Sequence, residues 1–273
     1  MILLALKLSF LEIVGFLSAF LVGISLGLLG SGGSALTMPV LIYIFKIDEK
    51  LATAYSLFIV GLSALLASYR YGLKKLINYK VAAYFGLPSI IGVVLVRYYL
   101  VQEIPENIIS FDYLTITSRN LILGLFSILM ILAGYQMIKK KKHIKKRVNK
   151  KFNASLAVIE GIAVGSLTGL VGAGGGFLIV PSLILLYGLK MKVAIGTSLF
   201  IISFKSLLGF FIGDVQKNLI DWEFLGAFSF IALLGIIIGL TLSQHITTNL
   251  LKRGFGFFVI GLGIIIISLE FIV

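Results

Sequence analysis

Charged and polar positions along this chain are sparse and clustered, so the sequence divides into ten apolar segments. They fall at about 9–29, 34–45, 51–69, 81–96 (extendable to 101), 120–138, 154–171, 177–187, 193–213, 224–243 and 254–273. Most are long enough to cross a hydrocarbon core of about 30 Å as helices. Two are not: a dozen residues at about 1.5 Å each make only about 18 Å of helix. Segments 34–45 and 177–187 are therefore predicted to fold back on the segment before them. Each follows a glycine-rich break, Gly30-Ser31-Gly32-Gly33-Ser34 in one case and Gly172-Ala173-Gly174-Gly175-Gly176 in the other, and each then meets a proline, Pro39 or Pro181. Lipid offers no hydrogen bonds, so irregular backbone at membrane depth must be buried in protein or line a cavity. A glycine-broken segment of this kind is a candidate binding site, more so when the chain contains it twice.

The two breaks belong to a repeat. A shift of 142 residues lays Gly23, Gly27, Gly30, Gly32, Gly33 and Pro39 onto Gly165, Gly169, Gly172, Gly174, Gly175 and Pro181. The register continues through Ala52/Ala194 and through Ser56-Leu57-Phe58-Ile59 over Ser198-Leu199-Phe200-Ile201. Chance matching among glycines does not explain why the proline and the SLFI block share the offset. Five segments per half is an odd number, so the second half inserts upside down relative to the first. The expected fold is an all-α integral membrane protein of two inverted-topology repeats, 1–138 and 152–273, joined by a basic linker at 139–151. Each repeat carries one Gly-rich broken helical hairpin.

Composition agrees with a membrane class. Hydrophobic residues make up 59% of the 273 and charged residues only 13%, against about 25% charged in soluble domains. There is no cysteine, which excludes disulfides and thiolate metal sites. The opening MILLALKLSFLEIVGF enters the apolar run after one lysine and reads as the first membrane helix instead of a removed signal. The net charge of +13 is mostly local, because nine of the 24 basic residues fall in the linker. Such a cluster beside a membrane helix reads as a cytoplasmic anchor attracted to anionic lipid, with no nucleic-acid role. With that linker inside, the inside connections hold 17 of the 24 Lys and Arg, and the outside set holds six, Lys7, Lys46, Lys50, Arg97, Arg119 and Lys217. The membrane expected is a prokaryotic inner membrane, with both termini outside. Gln102–Ser118 reads as an irregular outside surface loop, and Tyr79 and Trp222 as interfacial anchors.

The candidate chemistry gathers at the breaks. A helix starting inside the membrane presents unpaired N–H groups and a partial positive charge. The starts near Ser34 and Phe177 are expected to converge on a pocket suited to a small anion. The runs Gly30, Ser31, Gly32, Gly33, Ser34 and Gly172, Gly174, Gly175, Gly176 are read as binding elements, whereas Gly23-xxx-Gly27 and Gly165-xxx-Gly169 are read as helix-packing spacings. At the next segment start, the hydroxyls of Tyr55, Ser56, Thr197 and Ser198 either donate to a ligand oxygen or cap a helix end. Lys205 lies near the centre of its segment, where charge is costly. It is expected to neutralise the bound anion or to pair with a buried carboxylate such as Glu160. Glu12 and Glu270 lie nearer segment ends and are read as reaching water. Leucine at Gly32 or Gly174 is expected to abolish transport, and leucine at Gly15 to be milder. His143 and His245 lack the company a metal site needs. No HExxH, GxSxG or Walker-type pattern occurs, so neither an enzyme nor a cofactor is expected.

The G-L-L-G-S-G-G-S…P element at 27–39, its G-L-V-G-A-G-G-G…P repeat at 169–181 and the A-I-G-T-S-L block at 194–199 resemble the TauE/SafE family of membrane transporters, the sulfite exporters. The resemblance covers nearly the whole chain. The first repeat has Ala54-Tyr55-Ser56 where the second has Gly196-Thr197-Ser198. The resemblance implies export of sulfite or a small organosulfonate, and the inverted repeats would rock around the bound anion for alternating access. The residues themselves leave open another solute, including a cation held by backbone carbonyls, and an anion channel. Partners expected are a small anionic substrate and membrane lipid; a homo-oligomer stays open.

Overall fold

The structure is a computed structural model that describes residues 10–29, 34–111, 114–138, 153–243 and 248–271. The chain forms α1 Phe10–Leu29; α2 Thr37–Pro39, continuing as a π-helical turn over Val40–Ile44; α3 Glu49–Leu73; and α4 Tyr79–Leu95, continuing π-helically over Val96–Val101. After strands β1 Asn107–Phe111 and β2 Leu114–Thr117 come α5 Ser118–Ile138, α6 Ala154–Val171, α7 Gly176–Leu185 and α8 Met191–Leu208, which continues π-helically over Gly209–Asp214. The last two are α9 Trp222–Leu242 and α10 Thr248–Phe271. Each apolar segment read from the sequence corresponds to one of these helices. Among the described residues, six helices are long and apolar enough to cross a membrane: those beginning at Glu49, Tyr79, Ser118, Ala154, Met191 and Trp222. The protein is thus an all-α integral membrane protein. The 10 residues of α7 make about 15 Å of helix, half of what a crossing requires.

Local chemistry explains the helix starts. Asp48, Asn78, Asn153 and Asp221 each precede a long helix, and each side chain accepts a hydrogen bond from an otherwise unpaired first-turn N–H. One expectation is corrected here. The stretch 102–118 is not irregular: β1 and β2 pair antiparallel, with Ile109 opposite Ile116 and Phe111 opposite Leu114. The β-branched residues of IISF and LTIT suit a pleated ladder. Pro105 lies before the first strand and leaves the pairing intact.

Helix packing follows the glycines. α1 lies against α9, α4 against α6, α5 against α10 and α3 against α8. A Cβ on Gly23 would lie 2.0 Å from the Ala232 carbonyl oxygen, one on Gly27 2.5 Å from that of Ile236, and one on Gly235 2.2 Å from that of Phe20. In the α4–α6 interface, Gly165 stands in the same relation to Ser89 (2.2 Å), Gly169 to Val93 (3.2 Å) and Gly92 to Ile162 (2.6 Å). Any side chain at these positions would drive two backbones apart, so these are packing glycines. The two interfaces are built from corresponding residues. A shift of 142 carries Phe20, Gly23 and Gly27 onto Ile162, Gly165 and Gly169, and a shift of 143 carries Ser89, Gly92 and Val93 onto Ala232, Gly235 and Ile236.

The same correspondence appears where each N-cap meets the other half. The Asn78 N–H donates to Thr197 Oγ1 at 2.9 Å, and the Asp221 N–H donates to the Tyr55 hydroxyl at 2.8 Å. Tyr79 meets Phe200 edge-on at 5.6 Å between ring centres, and Trp222 meets Phe58 edge-on at 6.3 Å. Gly15 departs from its expected tolerance. A Cβ there would lie 2.3 Å from the ring of Phe45, which itself packs on Phe16, Phe224 and Phe228.

Candidate functional site

The α6–α7 turn is built from left-handed glycines. Gly172, Gly174 and Gly175 have φ of +71°, +64° and +73°, a region in which any other L-residue is strained. The Gly172 N–H donates to the Thr168 carbonyl at 2.9 Å and closes α6. The Gly175 carbonyl accepts from the N–H groups of Leu178 and Ile179, each at 3.0 Å, and opens α7. Space as well as dihedral angle demands glycine. A Cβ on Gly172 would lie 2.5 Å from Thr53 Cβ, one on Gly174 2.5 Å from Val60 Cγ1, and one on Gly175 2.1 Å from Thr168 Cγ2. All five residues from Gly172 to Gly176 are buried. The first break lies outside the described residues at Gly30, Ser31, Gly32 and Gly33; Ser34, the first residue described after it, is buried.

Lys205 comes up against this turn. Its side chain has no exposed surface, its Nζ donates to Thr168 Oγ1 at 2.6 Å, and the Nζ would be 3.1 Å from a Cβ on Gly175. Thr168 Oγ1 passes its own hydrogen to the Val164 carbonyl at 2.7 Å. An ammonium carries three donors and no acceptor, and one hydroxyl is the partner that the described residues give it. The expected pairing with Glu160 does not occur: Glu160 Oε2 accepts from the Tyr187 hydroxyl at 3.1 Å. Glu270 is also more engaged than a residue merely reaching water, since it accepts from Arg119 Nε at 2.9 Å and from Tyr43 at 3.0 Å.

The structure separates the four candidate hydroxyls into two kinds. Tyr55 and Thr197 are engaged as acceptors of the Asp221 and Asn78 N–H groups, as above. Ser56 and Ser198 are fully buried, and their Oγ atoms have no hydrogen-bond partner among the described residues. Ser63 and Ser206 are in the same condition. Ser63 is the residue that the repeat offset places opposite Lys205, and Ser206 follows Lys205 directly. A buried hydroxyl without a partner costs about 1–3 kcal/mol. Four of them lie on the two facing helices α3 and α8, and α8 also carries the buried Lys205 ammonium.

The sequence reading missed a second buried cation. Arg97 counts with the outside basic residues above because it lies just past an apolar run, and Asp214 lies just past another. In the structure the π-helical continuations of α4 and α8 carry them inward, and neither has exposed surface. Arg97 Nε donates to Asp214 Oδ2 at 2.8 Å and its NH2 donates to Oδ1, a two-pronged pairing. Its NH1 donates to Thr53 Oγ1 at 2.8 Å and to the Gly169 carbonyl at 3.4 Å. Gln102 Nε2 also donates to Asp214 Oδ1, at 3.1 Å. One signal for this was available: the two residues carry opposite charges and end segments expected to finish on the same face.

An apolar cleft lies elsewhere. About 650 Å³ opens among Leu65, Tyr69, Leu73, Tyr79, Phe204 and Leu233 on the flank of the bundle. Tyr69, Leu73 and Tyr79 are more than half exposed, and the lining offers no charge. The site is therefore better sought at the buried turn than in this apolar groove.

Comparison with known proteins adds to this geometry. A family model described as Sulfite exporter TauE/SafE matches residues 15–266. The chain is 31% identical over 196 residues to a probable membrane transporter protein of Methanocaldococcus jannaschii, covering 70% of this chain and 67% of that protein. A probable membrane transporter protein of Xylella fastidiosa is 29% identical over 256 residues, covering 92% of each chain. The probable membrane transporter protein YunE of Bacillus subtilis is 29% identical over 212 residues, covering 67% of this chain and 70% of its own. No solved structure matches the chain.

Proposed function

We propose, from the premise that this chain belongs to the TauE/SafE family and is an integral membrane transporter, that its cargo is a small oxyanion, sulfite or a small organosulfonate. The observation that carries this reading is the Lys205 ammonium. It is buried against the left-handed Gly172–Gly175 turn, and among the described residues it has no carboxylate partner and hydrogen-bonds only to Thr168. A cation enclosed in this way is stabilised by an anion beside it. A cation cargo at the same turn would meet that charge as repulsion. The binding set proposed is Lys205 with the partnerless hydroxyls of Ser56 and Ser198 and the glycine turns of both halves. Tyr55 and Thr197 act one step back, as braces for the next helix.

Alternating access is supported by the correspondence between the halves. The α1–α9 and α4–α6 interfaces and the Asn78–Thr197 and Asp221–Tyr55 bonds exchange with one another under the repeat offset. Two inverted-topology repeats rocking about a central site would use such matched contacts in turn. The basic asymmetry favours a cytoplasmic linker at 139–151 lying on anionic lipid, and termini outside. The prokaryotic relatives favour a cell inner membrane.

The test is uptake by proteoliposomes of sulfite, sulfate, thiosulfate, sulfoacetate and taurine, each across a concentration series. Saturable flux of one or more anions, with counter-flow when the same anion is preloaded, is expected of a carrier. Flux that rises linearly without counter-flow would make the protein a channel. Flux of a cation alone would overturn the reading of Lys205.

A further inference from the structure

Two fully buried cations flank the α6–α7 turn, and they are not held alike. Lys205 approaches through Thr168 and Gly175 on one side. Arg97 approaches on the other, through Thr53, whose Cβ packs directly on Gly172, and through the carbonyl of Gly169 in the last turn of α6. Lys205 has no carboxylate partner among the described residues, whereas Arg97 has Asp214. The Nε and NH2 edge of a guanidinium matches two oxygens of a carboxylate, and it matches two oxygens of a sulfite or sulfonate equally well. Asp214 fills that edge.

We infer that Arg97 is a second anion-binding residue for the transported oxyanion, and that Asp214 is its resident counter-ion, displaced when the oxyanion binds. The inference rests on the small-anion reading above. Asp214 is a tethered anion occupying the site its mobile competitor would take. Two observations support an exchange over a fixed structural pair. First, both partners sit in π-helical segments, Val96–Val101 and Gly209–Asp214, which pack on each other at the ends of α4 and α8. π-Helical turns occur disproportionately at functional sites. Second, Asp214 is held by a donor that outlasts the exchange: Gln102 donates to the same Oδ1 that Arg97 NH2 uses. When the carboxylate leaves the guanidinium it keeps one partner, and the arginine keeps Thr53. In the conformation described neither Arg97 nor Asp214 has exposed surface, so the oxyanion reaches Arg97 when the continuations of α4 and α8 part. The carboxylate then re-forms the pair behind the departing cargo, which keeps the passage shut when no anion is bound.

The experiment compares the parent, Asp214→Asn, Arg97→Gln and the double variant Arg97→Gln/Asp214→Asn. Sulfite is the probe, with uptake into proteoliposomes and sulfite-dependent thermal stabilisation as readouts. Asp214→Asn keeps the shape and removes the competitor. It is expected to bind sulfite about tenfold more tightly, to show a larger sulfite-dependent rise in melting temperature, and to turn over more slowly. Arg97→Gln and the double variant are expected to bind sulfite at least about tenfold more weakly than the parent. The double variant removes both charges and so keeps the comparison readable if either single variant does not fold. Parent-like sulfite affinity in the double variant would overturn the inference, as would unchanged affinity in a folded Asp214→Asn. In both cases parental flux would leave the small-anion reading standing. A parent that transports no anion of the panel would overturn that reading, and this inference with it.

Discussion

Lys205 and Gly175 are close enough that a change at either is felt at the other. Lys205→Met keeps length and bulk while deleting the charge and its bond to Thr168 Oγ1. Loss of a hydrogen bond to a charged group is worth about 1.5–3 kcal/mol, so sulfite affinity is expected to fall roughly ten- to a hundredfold. Measured binding equal to the parent would remove Lys205 from the site. The variant is expected to insert and fold, because no carboxylate among the described residues is left behind unpaired. Gly175→Ala demands a left-handed alanine, at about 1–2 kcal/mol, and pushes a methyl toward Thr168 and the ammonium. Gly174→Leu has the same backbone strain and overlaps Val60. Both are expected to lose most transport at matched expression. Gly226→Leu, with nothing within 4 Å of its Cβ, is the appropriate control; Gly15→Leu is not, since it displaces Phe45. Parental flux in Gly174→Leu would show that the turn tolerates rearrangement and is not the site.

At the scale of elements, α7 exists because the Gly172–Gly175 turn lets the chain reverse inside the bundle, and the long helices hold it in place. The braces linking the halves are side chain to N-cap: Thr197 to Asn78, ahead of α4, and Tyr55 to Asp221, ahead of α9. Thr197→Val removes the acceptor with little change in volume and is expected to cost about 1 kcal/mol of stability, read as a lower melting temperature, with substrate affinity near the parent's. Ser198→Ala is expected to do the reverse, weakening affinity while relieving a buried hydroxyl that has no partner among the described residues. The two residues are adjacent in sequence, so a common effect of both substitutions would contradict the division of roles drawn here.

For the whole molecule, orientation is the prediction. The chain has no cysteine, so single cysteines can be introduced and labelled from either face. One at Asn149, in the basic linker, is expected to react only from the cytoplasm, and one at Asn107, at the exposed start of β1, only from outside. Labelling of both from one face would exclude the proposed topology. Removing Arg97 from the outside set, because it is buried against Asp214, leaves 17 inside basic residues against six minus one, that is five, outside. The correction strengthens the asymmetry that the orientation rests on.

Much of this was determined by sequence alone, because the bilayer reduces folding to a question of length and polarity. Among the described residues each of the ten apolar runs becomes a helix, and the two runs too short to cross become short helices. The glycines ahead of the second short run, Gly172–Gly175, become a turn, since left-handed backbone packed against Thr53, Val60 and Thr168 admits nothing larger. The spacing Gly23-xxx-Gly27 and its counterpart likewise marked close helix contact, although not with which helix. What only the tertiary structure decided is how groups distant in the chain meet. Hydropathy assigns a charge at the end of an apolar run to water. It cannot register that π-helical continuations carry Arg97 and Asp214, 117 residues apart, into mutual contact. Nor does it tell a hydroxyl that holds a backbone N–H, as Thr197 does, from its neighbour Ser198, whose hydroxyl has no partner among the described residues. A helix turns about 100° per residue, so adjacent side chains enter different surroundings, and those surroundings are set by the packing of other helices.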